Sequence, residues 1–144
     1  MKKILRTLVV ALLVFSMTLS LAGCISSKWT KVEENLKNEG YIVTVYNTDV
    51  EKVAAVTLWN TLGGKFNAQE LDKVKCLLKG ERDGKVIYIA FCDDLETASI
   101  FEEKFDDFLD ELDDKGILDD DYYDTDQNFK VAYLGHEDAI RAAR

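Results

Sequence analysis

The sequence predicts an α+β domain: a ferredoxin-like β-α-β-β-α-β sheet with an extra helix at each end. Three observations predict it. Four short runs are strand-like, three of them rich in β-branched and aromatic residues, two long stretches carry helical periodicity, and their order from residue 41 is that of a split β-α-β arrangement.

The elements follow in order. Trp29, Val32 and Leu36 recur at helical spacing, and Gly40 supplies a left-handed stop, so a helix is expected over 29–39. Trp29 either packs on the domain or sits in a lipid interface, where tryptophan is favoured. Residues 41–47 read as a strand. Thr48 with Glu51 forms a capping-box pattern that opens a helix over 49–62. Val50, Val53, Ala54, Thr57, Leu58 and Leu62 form its expected core stripe, with Trp59 at the edge. Strands over 73–79 and 85–92 are expected around a five-residue turn at 80–84, with a helix through 68–79 as the alternative. A long amphipathic helix starts at Asp93-Asp94 and closes at Lys115-Gly116. Its apolar face is Leu95, Ala98, Phe101, Phe105, Phe108, Leu109 and Leu112. Residues 117–128 read as an acidic loop, 129–134 as a last strand, and the residues after His136 as a short helix.

A ferredoxin-like sheet has the order 4-1-3-2, with strands 1 and 3 central. Lys73, Lys75 and Lys79 suit an edge for strand 2. The helix-covered face is then Val74, Cys76, Leu78, Ile87, Ile89, Phe91, Val131 and Tyr133. The opposite face carries Thr44, Tyr46, Leu77, Tyr88, Ala132 and Leu134. That face is too apolar to stay wet. Either the terminal helices cover it or it binds something, which makes Tyr46 and Tyr88 candidate binding residues.

The first residues carry a different signal. Lys2, Lys3 and Arg6 form a basic start, and 14 mostly apolar residues follow over 8–21. That fits a secretion signal and is short of the ~20 residues that span a bilayer. Leu21-Ala22-Gly23-Cys24 resembles the lipobox of bacterial lipoproteins. The resemblance implies cleavage before Cys24 and diacylglyceryl transfer to its sulfur, with palmitate-type chains. Two acyl chains anchor stably where one does not. The expected organisation is a lipoprotein signal peptide over 1–23, a lipidated tether over 24–28 and a single domain over 29–144. The expected location is the extracytoplasmic side of a cell membrane.

Together with the ending Val131-Ala-Tyr-Leu-Gly-His-Glu-Asp-Ala-Ile-Arg-Ala-Ala, these features resemble small uncharacterised lipoproteins of low-GC Gram-positive bacteria. The resemblance implies no activity and no catalytic residue.

Charge narrows the partners. The whole chain has a formal charge of −9, and losing the three cations of the signal makes it −12. Such a surface is repelled by nucleic acid, so no nucleic-acid partner is expected. The partner expected from the sequence is the membrane, through the anchor, with a protein or small ligand unspecified. Proline is absent, which excludes proline-directed motifs. The one histidine, His136, has no nucleophile motif or metal spacing around it and reads as a capping or surface residue. Asp124, Asp126 and Asn128 copy the first three ligand positions of an EF-hand loop, but Phe129 and Gly135 stand where its Gly and Glu belong.

Cys76 and Cys92 could pair in an oxidising compartment. A five-residue turn would set Cys76 opposite Tyr88 and leave Cys92 about 13 Å along the strand, at ~3.3 Å per residue. That exceeds the ~7 Å that a disulfide spans. No cofactor is expected. The function expected is a non-catalytic binding or protein-interaction domain on a lipid anchor. The alternative is a small metal-dependent enzyme or Ca²⁺-binding module using the acidic loop.

Overall fold

The computed structural model describes residues 28–118 and 122–144. The expected signal, Cys24 and most of the expected tether lie outside the described residues. The chain divides into units 1–31 and 32–144. Of the first, only residues 28–31 are described, the opening of a helix. Among the described residues, no helix is long and apolar enough to cross a membrane.

The elements are α1 (Lys28–Asn38), β1 (Ile42–Tyr46), α2 (Asp49–Thr61), a 3-10 helix (Ala68–Lys73), β2 (Val74–Arg82), β3 (Lys85–Cys92), α3 (Leu95–Asp114), β4 (Tyr123–Asn128), β5 (Val131–His136) and α4 (Glu137–Ala143). The class is α+β, with helices at both ends. The sheet is antiparallel, five-stranded and ordered β1-β2-β3-β5-β4.

This order corrects the ferredoxin-like expectation. β1 lies at an edge and not at the centre. The chain returns from α2 through residues 62–73, so β2 comes back antiparallel beside β1. The acidic 117–128 segment also holds a strand that the sequence reading took for loop. Tyr123–Asn128 pairs with β5 across a tight turn in which Phe129 takes φ +53°. Asp, Asn and Gln are poor strand formers, and no apolar alternation marks the segment.

The β2–β3 turn is shorter than expected. Asp83 and Gly84 both have positive φ and join Arg82 to Lys85 directly. That is the primed turn suited to a two-residue hairpin. Cys76 therefore faces Phe91, not Tyr88, and Val74 faces Cys92. The register shifts between Val74 and Cys76, a bulge at Lys75. Because side chains alternate across a sheet, the bulge puts Val74 and Leu77 on one face and Cys76 and Leu78 on the other.

Apart from Val74, the helices cover the face opposite to the one expected. Helices α2 and α3 cover Val74, Leu77, Tyr88, Ala90, Cys92, Ala132 and Leu134, with Tyr46 at the margin. Trp59, Phe66, Phe101, Phe105 and Phe108 fill that core, mostly edge to face at 5.5–6.1 Å. Trp59 Nε1 is buried without a hydrogen bond, and the ring meets Tyr88 edge-on at 5.0 Å. The other face carries the rows Cys76–Phe91–Val131, Leu78–Ile89–Tyr133 and Gly80–Ile87–Gly135.

The caps agree with the sequence. Thr48 accepts from Glu51 N–H and Asp94 from Thr97 N–H. Gly40 has φ +87°, and Tyr41 N–H reaches back to the Leu36 carbonyl, a Schellman closure of α1. α3 buries Ala98, Phe101, Phe105, Phe108 and Leu112 as expected, whereas Leu95 is exposed.

α2 is turned about its axis relative to the expected stripe. It buries Lys52, Ala55, Val56 and Trp59. Val50, Val53, Ala54, Thr57 and Leu58 face solvent, and Leu62 is half-buried. Trp59, not the valines, is the anchor.

Candidate interaction surface

The outer face of α2 is apolar and carries no charge from Val53 to Thr61. Val50 is 81% exposed and Leu58 50%. Thr57 Oγ1 donates to the Val53 carbonyl at 2.7 Å, and Thr61 Oγ1 to the Leu58 carbonyl at 2.6 Å. Both hydroxyls are thus spent on the helix backbone, and their methyl groups are left outward. Natural helices of acidic domains usually put charge on such a face.

The helix orientation follows from its polar anchors. Lys52 Nζ donates to the carbonyl of Val74 at 2.7 Å and pairs with Asp49 at 3.4 Å. Asn60 exchanges two 2.9 Å hydrogen bonds with the backbone of Phe66. Asn60 thus turns one flank of α2 toward residues 62–67. Ala54 and Leu58 lie on the opposite flank, since residues 100° apart per step fall on opposite sides at i and i−2.

Beside α2 lies β1, which among the described residues pairs only with β2. Its sequence Ile-Val-Thr-Val-Tyr has no charge, and Ile42 is 78% exposed. The other edge, β4, is blunted. Arg144 pairs with Asp126, and Thr125 Oγ1 with Asp106 on α3. Charged residues are the usual guard of a sheet edge, and β1 lacks them.

A second region flanks α4. His136 caps it, its Nδ1 accepting from Asp138 N–H at 3.1 Å. Its ring lies between those of Tyr122 and Tyr123, at 6.0 and 5.4 Å. Lys85 Nζ binds Asp138 at 2.8 Å, which holds that carboxyl below its usual range and raises the lysine. A cavity of about 340 Å³ is lined by Glu39, Tyr41, Arg82, Asp138, Arg141 and Ala142. Arg82 already donates to the Glu39 carbonyl and lies over the Tyr41 ring at 5.5 Å. A second, of about 510 Å³, is lined by Asp124, Thr125, Asp126, Glu137, Ile140, Arg141 and Arg144. Arg82, Arg144 and Asp138 are thus engaged with neighbours within the chain.

The sequence candidates are scattered. Tyr88 is a core ring between Trp59 and Phe108, and burial pushes its hydroxyl up to about 12. Tyr46 is half-buried at the end of β1, its hydroxyl raised by burial. Asp124, Asp126 and Asn128 lie on β4, where strand alternation sends Asp124 and Asp126 to one side. Asp124 accepts from Thr125 N–H at 2.8 Å. Among the described residues, no three His, Cys, Asp or Glu side chains converge as metal ligands. Burial drives the thiols of Cys76 and Cys92 up to about 12, so both stay protonated.

Sequence reasoning missed the α2–β1 surface. It assigned the valines and leucines of α2 to the core because they are apolar. The overlooked signal was Trp59, the largest side chain of the helix, at i+3 and i+4 from Val56 and Ala55 on a second stripe. No family model matches this chain, and no curated protein or solved structure matches it.

Proposed function

We propose that this chain is a lipid-anchored extracytoplasmic lipoprotein, similar to those of low-GC Gram-positive bacteria, whose domain is a non-catalytic interaction module. The anchor reading rests on Leu21-Ala22-Gly23-Cys24 and the apolar run before it. The interaction reading is carried by one observation: an uncharged, apolar helix face stands beside an unguarded sheet edge, on a chain with 27 acidic residues. An exposed apolar patch on a charged protein marks a docking surface. A nucleophile is not supported by thiols held at about 12, nor by a histidine whose Nδ1 accepts the α4 cap hydrogen bond.

The anchor is tested by growing bacteria that express the full chain with labelled palmitate. The label is expected in the membrane-held protein and lost in Cys24→Ser. Label retained in that variant overturns the anchor.

A further inference from the structure

We propose that the occupant of this surface is a second copy of the chain, with β1 pairing antiparallel to β1 of the partner about a two-fold axis at Thr44. The proposal rests on reading the α2–β1 face as the interaction surface, and it names the partner. Three observations carry it.

The first is self-complementarity. A two-fold axis at the middle of Ile42–Tyr46 sets Thr44 opposite Thr44, Val43 opposite Val45 and Ile42 opposite Tyr46. No charge meets a like charge. For a chain of formal charge −9, self-association is repelled over most of the surface, and this is a place where the repulsion is least. The β4 edge, with Asp124 and Asp126, would bring acids together across the same symmetry.

The second is the spacing of the helices. α2 packs over β1 and β2, and strands lie ~4.8 Å apart. A helix centred on that pair stands about 5 Å from the proposed axis. The two copies of α2 are then about 10 Å apart on the same side of the joined sheet, the separation of packed helices. The third observation is what faces the axis. The flank opposite Asn60 carries Ala54 and Leu58, both exposed, next to exposed Ile42 and Thr44, with Glu51 at its N-terminal end, where its carboxylate accepts from Asn47 N–H.

The patch is small. A 13-residue helix ~20 Å long with a flank ~10 Å wide, and the ~17 Å edge of a five-residue strand ~5 Å across, give roughly 300 Å² a side. That is under half the ~800 Å² of a standard interface. The dimer is therefore weak and is best trapped covalently, on the full chain in membranes.

In Thr44→Cys the two new thiols sit across the axis, with Cα atoms ~4.5–5.5 Å apart, within disulfide range. Mild oxidant should convert most of the chain to a dimer on non-reducing gels. In Ile42→Cys the thiols are four residues out of register, about 13 Å apart, and at least tenfold less dimer is expected. Leu58→Asp added to Thr44→Cys should cut the dimer several-fold. The parent chain, carrying Cys24, Cys76 and Cys92, reports the background. A Thr44→Cys chain that stays monomeric, that cross-links no better than Ile42→Cys, or that is captured only by another protein overturns the proposal. Reading palmitate label in the same membranes separates the two ideas. A labelled monomer overturns the dimer alone, and an unlabelled dimer overturns the anchor alone.

Discussion

The ammonium of Lys52 donates to the carbonyl of Val74 at 2.7 Å, and so joins the first turn of α2 to the start of β2. Val74 is also where the β2–β3 register shifts. A cation thus occupies the N-terminal end of the core-facing stripe of Lys52, Ala55, Val56 and Trp59. It turns Val50, Val53 and Leu58 outward in place of the expected packing.

Lys52→Ala should therefore destabilise the domain by about 2–3 kcal/mol, through lost stem packing and an unpaired carbonyl. Val50→Ala, at a position 81% exposed, should change stability by no more than about 0.5 kcal/mol. Urea denaturation of the two variants decides the orientation of α2. A larger loss in Val50→Ala would return the valines to the core.

Cys76 and Cys92 should stay reduced and unreactive in the native protein. They are close along the strands, since Val74 faces Cys92 and Cys76 faces Phe91. They stay apart because Cys76 shares the face of its partner Phe91, while Cys92, the next residue along β3, points to the other face, and not because of the 13 Å separation that the longer turn would have produced. Iodoacetamide at pH 8 is expected to leave both unlabelled until denaturant is added. Rapid native labelling of either thiol would show that it is not buried.

Acid stability should depend on Asp94. Hydrogen bonds from Thr97 hold its carboxyl below the usual carboxylate range. The unfolded chain binds that proton near pH 4, above the pH at which the fold does. The stabilisation is thus complete above about pH 4 and is lost as pH falls through the lower, folded value. Asp94→Asn keeps an acceptor for the cap but does not titrate. Its urea midpoint between pH 5 and 2.5 should fall less steeply than that of the parent. Superposable acid limbs would remove Asp94 from the account.

Calcium should not stabilise the domain specifically. Asp126 is paired with Arg144, and Asp124 is turned to its neighbour's amide. In low-millimolar Ca²⁺, melting should match that in sodium chloride of equal ionic strength. A Ca²⁺-specific rise of several degrees, abolished in Asp124→Ala with Asp126→Ala, would make metal binding the leading activity.

The sequence was legible where local chemistry decides. The Thr48 and Asp94 caps, the Gly40 stop and the phenylalanine stripe of α3 all lie where their residue types demand. It misled where tertiary packing overrides a pattern. The strands are apolar on both faces, so the pattern does not say which face the helices cover; Lys52 fits the core side of α2, and polar Tyr123–Asn128 becomes a strand because β5 offers it a ladder. The α2–β1 surface was hidden for the same reason: apolar residues on a helix look alike whether they meet a core or a partner.

On the second face of the sheet, Ile87 is flanked by Gly80 on one neighbouring strand and Gly135 on the other. A methyl group added at either glycine would lie within 2.8–2.9 Å of the Ile87 side chain. Positions 80 and 87 must therefore drift together, since Gly80 can be enlarged only if residue 87 loses its branch. At Gly135 the added methyl also meets the Ile87 Cα at 2.9 Å, so that position stays bare whatever residue 87 is. Kin too diverged for overall likeness to register would still bear this small–branched–small triplet, spaced by 7 and then 48 residues where loops are of equal length. It offers a fingerprint for ancestry that does not depend on what the surface binds.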